Sequence, residues 1–339
     1  MKIITTDYYR RFQCIAAQCS DSCCKEWTVD VDADSARFYR GLEGPLGDRL
    51  RHVLQDTPDG THMIIENCRC PMWRQDGLCE IQAQLGHGAL CVTCREFPRL
   101  RHDYGDFVEL DLELSCPEAA RMMFAGPPLL QVAEQPGGDA SAYDEQTMTI
   151  LRRSRETVSA LLSQEQIPLA QGLAIMLLYA HQVQGEIDGA DPLPFDAQEC
   201  LEAAARYAGC GQLQPLADFF SRLEILTEPW RQALASTTSA RCVSDKLRPL
   251  ALYCVRRYWL QAISDLDLIC RAKFAVAACA LLSAMDGDPC RVSQLFSKEI
   301  ENDPDNVDAI FDAAYTHEAF TDANLLGLLL NPEKVAKSS

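Results

Sequence analysis

The chain has no apolar run long enough to cross a bilayer, which takes about 20 residues. Its longest apolar stretches, "LAIMLLYA" and "FAVAACALLSAM", read as buried helices. The start, "MKIITTDYYRRFQ", lacks an apolar segment that could form the core of a secretion signal. A cytoplasmic location is therefore expected, and thiols stay reduced there. Positive charge is scarce: 31 Lys and Arg stand against 49 Asp and Glu, a formal net charge of −18. A nucleic-acid binder needs a basic surplus on at least one face, so neither nucleic acid nor an anionic membrane is an expected partner. A lysine-bearing partner would be attracted instead. Glycine-rich phosphate signatures are missing as well: neither G-x-G-x-x-G nor a P-loop occurs, so no nucleotide-binding strand–turn–helix unit is expected. The six histidines show no paired metal-ligand spacing and read as surface or polar-core residues.

Cysteine, by contrast, is abundant and unevenly spread. Of the 17 cysteines, ten precede residue 117: Cys14, Cys19, Cys23, Cys24, Cys68, Cys70, Cys79, Cys91, Cys94 and Cys116. The other seven are scattered singly through helical patterns, where a lone cysteine behaves as a small hydrophobe. In a reducing compartment such a cluster points to metal or redox chemistry rather than to disulfides.

At 339 residues, with 47% apolar and 24% charged residues, the chain can bury a sizeable core and is long enough for two domains. The expected fold class is mainly α, with a cysteine-rich metal-cluster domain over 1–124 carrying a short β-hairpin and an α-helical domain over 142–339. Within the first domain, "LRHDYGDFVELDLELSC" turns at Tyr104-Gly105-Asp106 and then places Phe107, Leu110, Leu112 and Leu114 among acids, which predicts a hairpin leading to Cys116. "CPEAARMMF" predicts a helix starting near Pro117. Residues 125–141, rich in Pro, Gly and Ala without apolar periodicity, are expected to be a linker. Beyond them apolar residues recur every three or four positions almost to the end, with a break at Asp303-Pro304.

The spacing C-x4-C-x3-C-C, then C-P-x7-C-x-I, then C-x2-C-R, then C-P brings soft ligands from four separate segments. That is more than one tetrahedral zinc needs. It suits a [4Fe–4S] cluster with thiolate neighbours, or two metal sites, and spacing alone does not choose between zinc and iron–sulfur. The radical-type motif C-x3-C-x2-C is incomplete, because Glu26 stands where the third cysteine would be.

The stretches "FQCIAAQCSDSCCKEWTVDVD", "CPMWRQDGLCEIQAQLGHGALCVTCREFPR" and "LELSCPEAAR" resemble the bacterial flagellin lysine-N-methylases. The C-P…G-L-C-x-I-Q…C-R-x-F-P part is also similar to a broader group of zinc- or iron-chelating cysteine domains. The likeness is dense over residues 8 to 124 and weaker near "FSKEIENDPDNVDAIFDAAY". It implies methyl transfer from S-adenosylmethionine to lysine side chains of flagellin, with a [4Fe–4S] cluster held by the cysteines. Carried over by position, the implied metal ligands are Cys14, Cys19, Cys23, Cys24, Cys70, Cys79, Cys94 and Cys116, with Cys68 and Cys91 outside the set. Met72-Trp73 departs conservatively from the small or aliphatic pair usual after C-P.

Methyl transfer to an amine needs a deprotonated lysine, in-line geometry and surroundings suited to a fading positive charge. Glu26 and Asp30 (with Asp32) are candidate proton acceptors, and Arg95 is a candidate partner for the donor's carboxylate. Trp27 and Tyr9 (with Tyr8) could form an aromatic wall for the donor or the methylammonium. The plainer reading makes "WTVDVDADS" a strand entering a helix, with Asp34 or Ser35 as the cap and the acids in water. Two other functions remain open: a non-catalytic zinc- or iron-binding scaffold, and an electron carrier.

Overall fold

Alternating apolar residues in the first 135 positions build two small sheets, and the 3.6-residue pattern beyond builds helices. The computed structural model describes residues 1–25, 27–65, 69–137, 140–141, 143–238 and 243–330. The first sheet has the order β5-β6-β1-β7, made of β1 (Lys2–Thr6), β5 (Arg99–Asp103), β6 (Phe107–Leu112) and β7 (Leu130–Glu134). The expected hairpin is its β5–β6 pair, turned through Gly105 at φ +89°, a conformation that side chains with a Cβ rarely adopt. The chain's first strand, β1, lies parallel to β6 and antiparallel to β7. β7 falls inside residues 125–141, so the stretch expected to be a linker contributes an edge strand. Its pattern misled because Leu130 and Val132 remain exposed.

The second sheet, in the order β2-β4-β3, joins β2 (Val29–Val31), β3 (Leu54–Thr57) and β4 (Gly60–Met63). It packs with the helices Ala33–Gly41 and Gly44–Val53 around a core of Val29, Val31, Tyr39, Leu50, Met63 and Met72. As the plainer reading expected, Val29 is buried while Asp30 is exposed; Val31 is buried as well. The helix cap, however, is Asp32: its Oδ1 accepts from the Ser35 amide at 3.0 Å and its Oδ2 from the Val92 amide at 2.9 Å. One carboxylate thus starts a helix and ties it to the cysteine-bearing helix Val92–Glu96.

The chain is mainly helical. The long helices Glu145–Leu162, Leu169–Ile187, Arg248–Tyr258, Ile269–Ala284 and Pro304–Thr316 share one large core. Ile269–Ala284 is buried along its whole length, and its two charged residues both find partners within the protein. Lys273 Nζ meets the Ala314 carbonyl at 2.8 Å and Arg271 meets Asp265 at 2.9 Å. No helix among the described residues is long and apolar enough to cross a membrane. Tyr8, Phe12, Phe107, Leu112, Leu114 and Cys116 also belong to this large core. The first 124 residues are thus divided between two cores: the sheet with β1 and β6 joins the helices, and the segment from Val29 to Cys94 packs on its own.

Candidate functional site

The cysteine segments meet where the two cores adjoin. Backbone pairing starts the assembly: the Cys70 amide donates to the Cys24 carbonyl at 2.8 Å, next to a bridge between Lys25 and Arg69. A second bridge, Trp73 with Cys79, folds the C-P-x7-C loop back on itself. Cys24, Cys70, Cys79, Cys91 and Cys94 pack in or against the smaller core, whereas Cys116 lies in the larger one. Between them runs the loop carrying Cys14, Cys19 and Cys23. Cys23 lies within electrostatic range of Cys19, Cys70, Cys79, Cys94 and Cys116, so all four expected segments reach one neighbourhood.

The described cysteines of this region are free thiols. Cys79, Cys91 and Cys116 each stand at the N-cap of a helix without a cap hydrogen bond; burial raises the Cys79 and Cys116 thiols, and nearby first-turn amides pull the other way. Burial outweighs the amides at Cys116, pushed up to about 12, and at Cys70, pushed up to about 11. Cys94 and Cys91 share a hydrogen bond that raises Cys94 and lowers Cys91 to about 7. Cys91, outside the ligand set implied by the resemblance, therefore sits inside the thiol group; its C-x2-C spacing to Cys94 was the signal for it.

Among the described residues no three His, Cys, Asp or Glu side chains are placed to hold a single metal ion. The donor set is nonetheless of the right kind for a thiolate-ligated cluster: reduced, soft, and gathered from separate loops. A four-iron cluster spreads its thiolates farther apart than one ion does.

The other expected site residues are dispersed. Glu26 and Cys68 lie outside the described residues. Asp30 faces solvent on β2, hydrogen-bonded to His62 Nδ1 at 2.8 Å, with His62 Nε2 3.0 Å from Thr57 Oγ1. Arg95 is partly exposed beside Glu96. Trp27 packs on Phe97 with Lys298 Nζ 5.4 Å from its ring centre, and Tyr9 has the Arg99 guanidinium 5.9 Å from its own. Both aromatic faces already carry a cation.

A second constellation, not legible in the sequence, lies on the face of the first sheet. Pairing aligns His102, Glu109, Ile4 and Val132 in one row, and Leu100 with Asp111 in the next. Arg155, from helix Glu145–Leu162, grips Glu109 through two hydrogen bonds of 2.8 and 2.6 Å. Arg256, from Arg248–Tyr258, bonds Asp111 and the Tyr8 hydroxyl. His102 is held below its ordinary pKa by burial and then by Arg257, and its Nε2 has no partner among the described residues. These groups line a cavity of about 360 Å³ that shares Pro127, Pro128, Ser163, Leu252 and Arg256 with a larger one of about 640 Å³.

The chain is similar to the flagellar biosynthetic protein FliU of Salmonella muenchen, with 30% identity over 148 residues covering 40% of this chain and 86% of that protein. It belongs to the FliU/lysine-N-methylase family. The lysine-N-methylase of Salmonella typhimurium (strain LT2) is 30% identical over 153 residues, and that of Salmonella choleraesuis (strain SC-B67) is 29% identical over 153 residues. In both cases the match covers 40% of this chain and 36% of the relative, so the chain spans about a third of the length of these two methylases. No family model and no solved structure matches.

Proposed function

We propose that this member of the FliU/lysine-N-methylase family methylates lysine side chains of flagellin in the cytoplasm, using S-adenosylmethionine, and that its cysteines hold a [4Fe–4S] cluster. The observation that carries the reading is the gathering of thiols from all four motif segments in a chain related to proteins named lysine-N-methylase. Cys14, Cys19, Cys23, Cys24, Cys70, Cys79, Cys94 and Cys116, with Cys91 beside them, are the residues from which the cluster would draw its ligands. When bound, it supplies a tie between loops belonging to different cores.

In the reaction the lysine nitrogen forms a bond to the methyl carbon while the carbon–sulfur bond breaks, the donor leaves as S-adenosylhomocysteine, and the amine's proton passes to a base. The protein's part is to hold the amine deprotonated and in line, and to exclude water. The acidic surface, with a net charge of −18, favours encounter with a lysine-bearing substrate.

The test is to incubate the anaerobically purified chain with flagellin and isotopically labelled S-adenosylmethionine, and to read label on lysine by mass spectrometry. Labelled methyl-lysine supports the reading. A chain that holds its metal but leaves flagellin unlabelled is instead a metal-binding scaffold.

A further inference from the structure

We propose that the joined cavities between the first sheet and the helices Glu145–Leu162 and Arg248–Tyr258 bind the methyl donor, a zwitterionic amino acid linked through a sulfonium to a nucleoside. The proposal rests on the methyl-transfer reading and gives it a site that none of the sequence motifs contains.

Size comes first: at about 640 and 360 Å³, with five shared lining residues, the cavities fall in the range of about 300–1,000 Å³ usual for small-molecule sites. The wall chemistry is divided as such a ligand requires. Met123, Phe124, Pro127, Pro128, Pro249 and Leu252 give the larger lobe flat apolar surfaces suited to a purine. Glu165 and Asp288 stand exposed on the same lobe, where carboxylates can take ribose hydroxyls or an ammonium.

Arg256 lines both lobes. Its Nε and Nη2 are committed to Asp111 and Tyr8, which lock the guanidinium, while Nη1 donates no hydrogen bond to the described residues. A fixed guanidinium with one nitrogen to spare is a pre-organised anchor for a carboxylate. The smaller lobe has His102 and Glu109 in its wall, a polar pair on the side where the donor's amine would lie.

One side of the wall is also fixed in place. Arg248 donates to the carbonyls of Leu162, Gln164 and Ile167 at 2.7, 3.2 and 2.8 Å, fixing the turn after Glu145–Leu162 that forms one side. Buried ion pairs such as Glu109–Arg155 and Asp111–Arg256 rarely beat apolar packing for stability. Their concentration on one sheet face beside a cavity is accounted for by ligand binding.

The experiment measures S-adenosylmethionine binding by titration calorimetry to the full chain and to Ser163→Trp and Leu252→Trp, each of which fills the shared wall. Ser163 is exposed at the end of its helix, so its substitution leaves the core untouched. Both variants are expected to bind at least tenfold more weakly, with far-ultraviolet circular dichroism and iron content unchanged. Binding within twofold of the parent in both variants overturns the cavity assignment and leaves the methyl-transfer reading standing. A parent chain that binds no S-adenosylmethionine overturns the reading and the proposal together.

Discussion

Lys298, buried in the π-helical turn Ser297–Glu301, places its Nζ 3.0 Å from Asp21 Oδ2 in the loop between Cys19 and Cys23. Burial opposes the charge on Asp21, but Lys298, then the Ser22 amide and Arg291, hold its carboxyl below the ordinary range. The pair carries the cysteine loop onto the helical body, joining two stretches 277 residues apart. Because π-turns cost regular hydrogen bonding, they tend to persist where they aim a side chain at a functional site.

Removing one partner of a buried pair costs about 3–5 kcal/mol. Asp21 keeps Lys25 at 3.7 Å and Arg291 at 3.9 Å, so Lys298→Met should fall at the low end, about 3 kcal/mol. Denaturant unfolding of both proteins at equal metal content measures this. A loss below about 1 kcal/mol would show that the loop is held by something else.

On the sheet face, Arg155 and Glu109 are nearly out of water, with side-chain exposures of 16% and 10%. Arg155→Met strands the Glu109 carboxylate and should destabilise by about 3–5 kcal/mol. Adding Glu109→Gln should recover part of that, since an amide is cheaper to bury than an unpaired charge. A double-mutant cycle from thermal unfolding checks both; strictly additive effects would refute the coupling.

Cys23→Ala and Cys94→Ala should abolish the iron–sulfur absorbance of anaerobically purified protein, because both thiols stand at the centre of the group. Cys200→Ala, in the helix Ala197–Ala205 and remote from that group, should leave the absorbance intact. Iron analysis alongside the spectra decides, and a cluster retained by both of the first two variants would refute the ligand assignment.

Glu113 is carried toward Arg257 and Glu301, and loss of water pushes its pKa up from 4.5 to about 7 against the pull of Arg257. The raised value means the folded state holds this proton more tightly than the unfolded chain does. Its contribution is fully present below about pH 4.5 and is lost as pH rises through about 7. Glu113→Gln should therefore gain stability over the parent above pH 7, by up to about 3 kcal/mol. Unfolding curves at pH 5 and pH 8 test the sign; an equal difference at both would remove Glu113 as the titrating group.

Local pattern was enough to read the helices Glu145–Leu162, Leu169–Ile187 and Ile269–Ala284, the Pro117 helix start and the β5–β6 hairpin, because each is defined by contacts close in sequence. The parallel β1–β6 pair was hidden, since Ile4 and Glu109 meet only after a hundred residues of chain have folded between them. β7 was hidden because an edge strand needs only one partner and tolerates exposed Leu130 and Val132. The sequence placed the cap at Asp34 or Ser35, whereas the folded backbone gives it to Asp32, whose carboxylate takes both the local Ser35 amide and the Val92 amide from another segment.

By itself the sequence determined the inventory: a mainly helical chain, an acidic surface, and a set of thiols at spacings that resemble one family. Spacing along a chain specifies which residues are available and which local turns they can form. Only the tertiary structure decided that Cys116 reaches the other cysteines from the opposite core, that Lys298 closes on Asp21, and that Glu109 and Asp111 turn toward Arg155 and Arg256 beside a cavity. Those meetings depend on how sheets and helices pack, which burial of apolar surface sets across the whole chain rather than within any one segment.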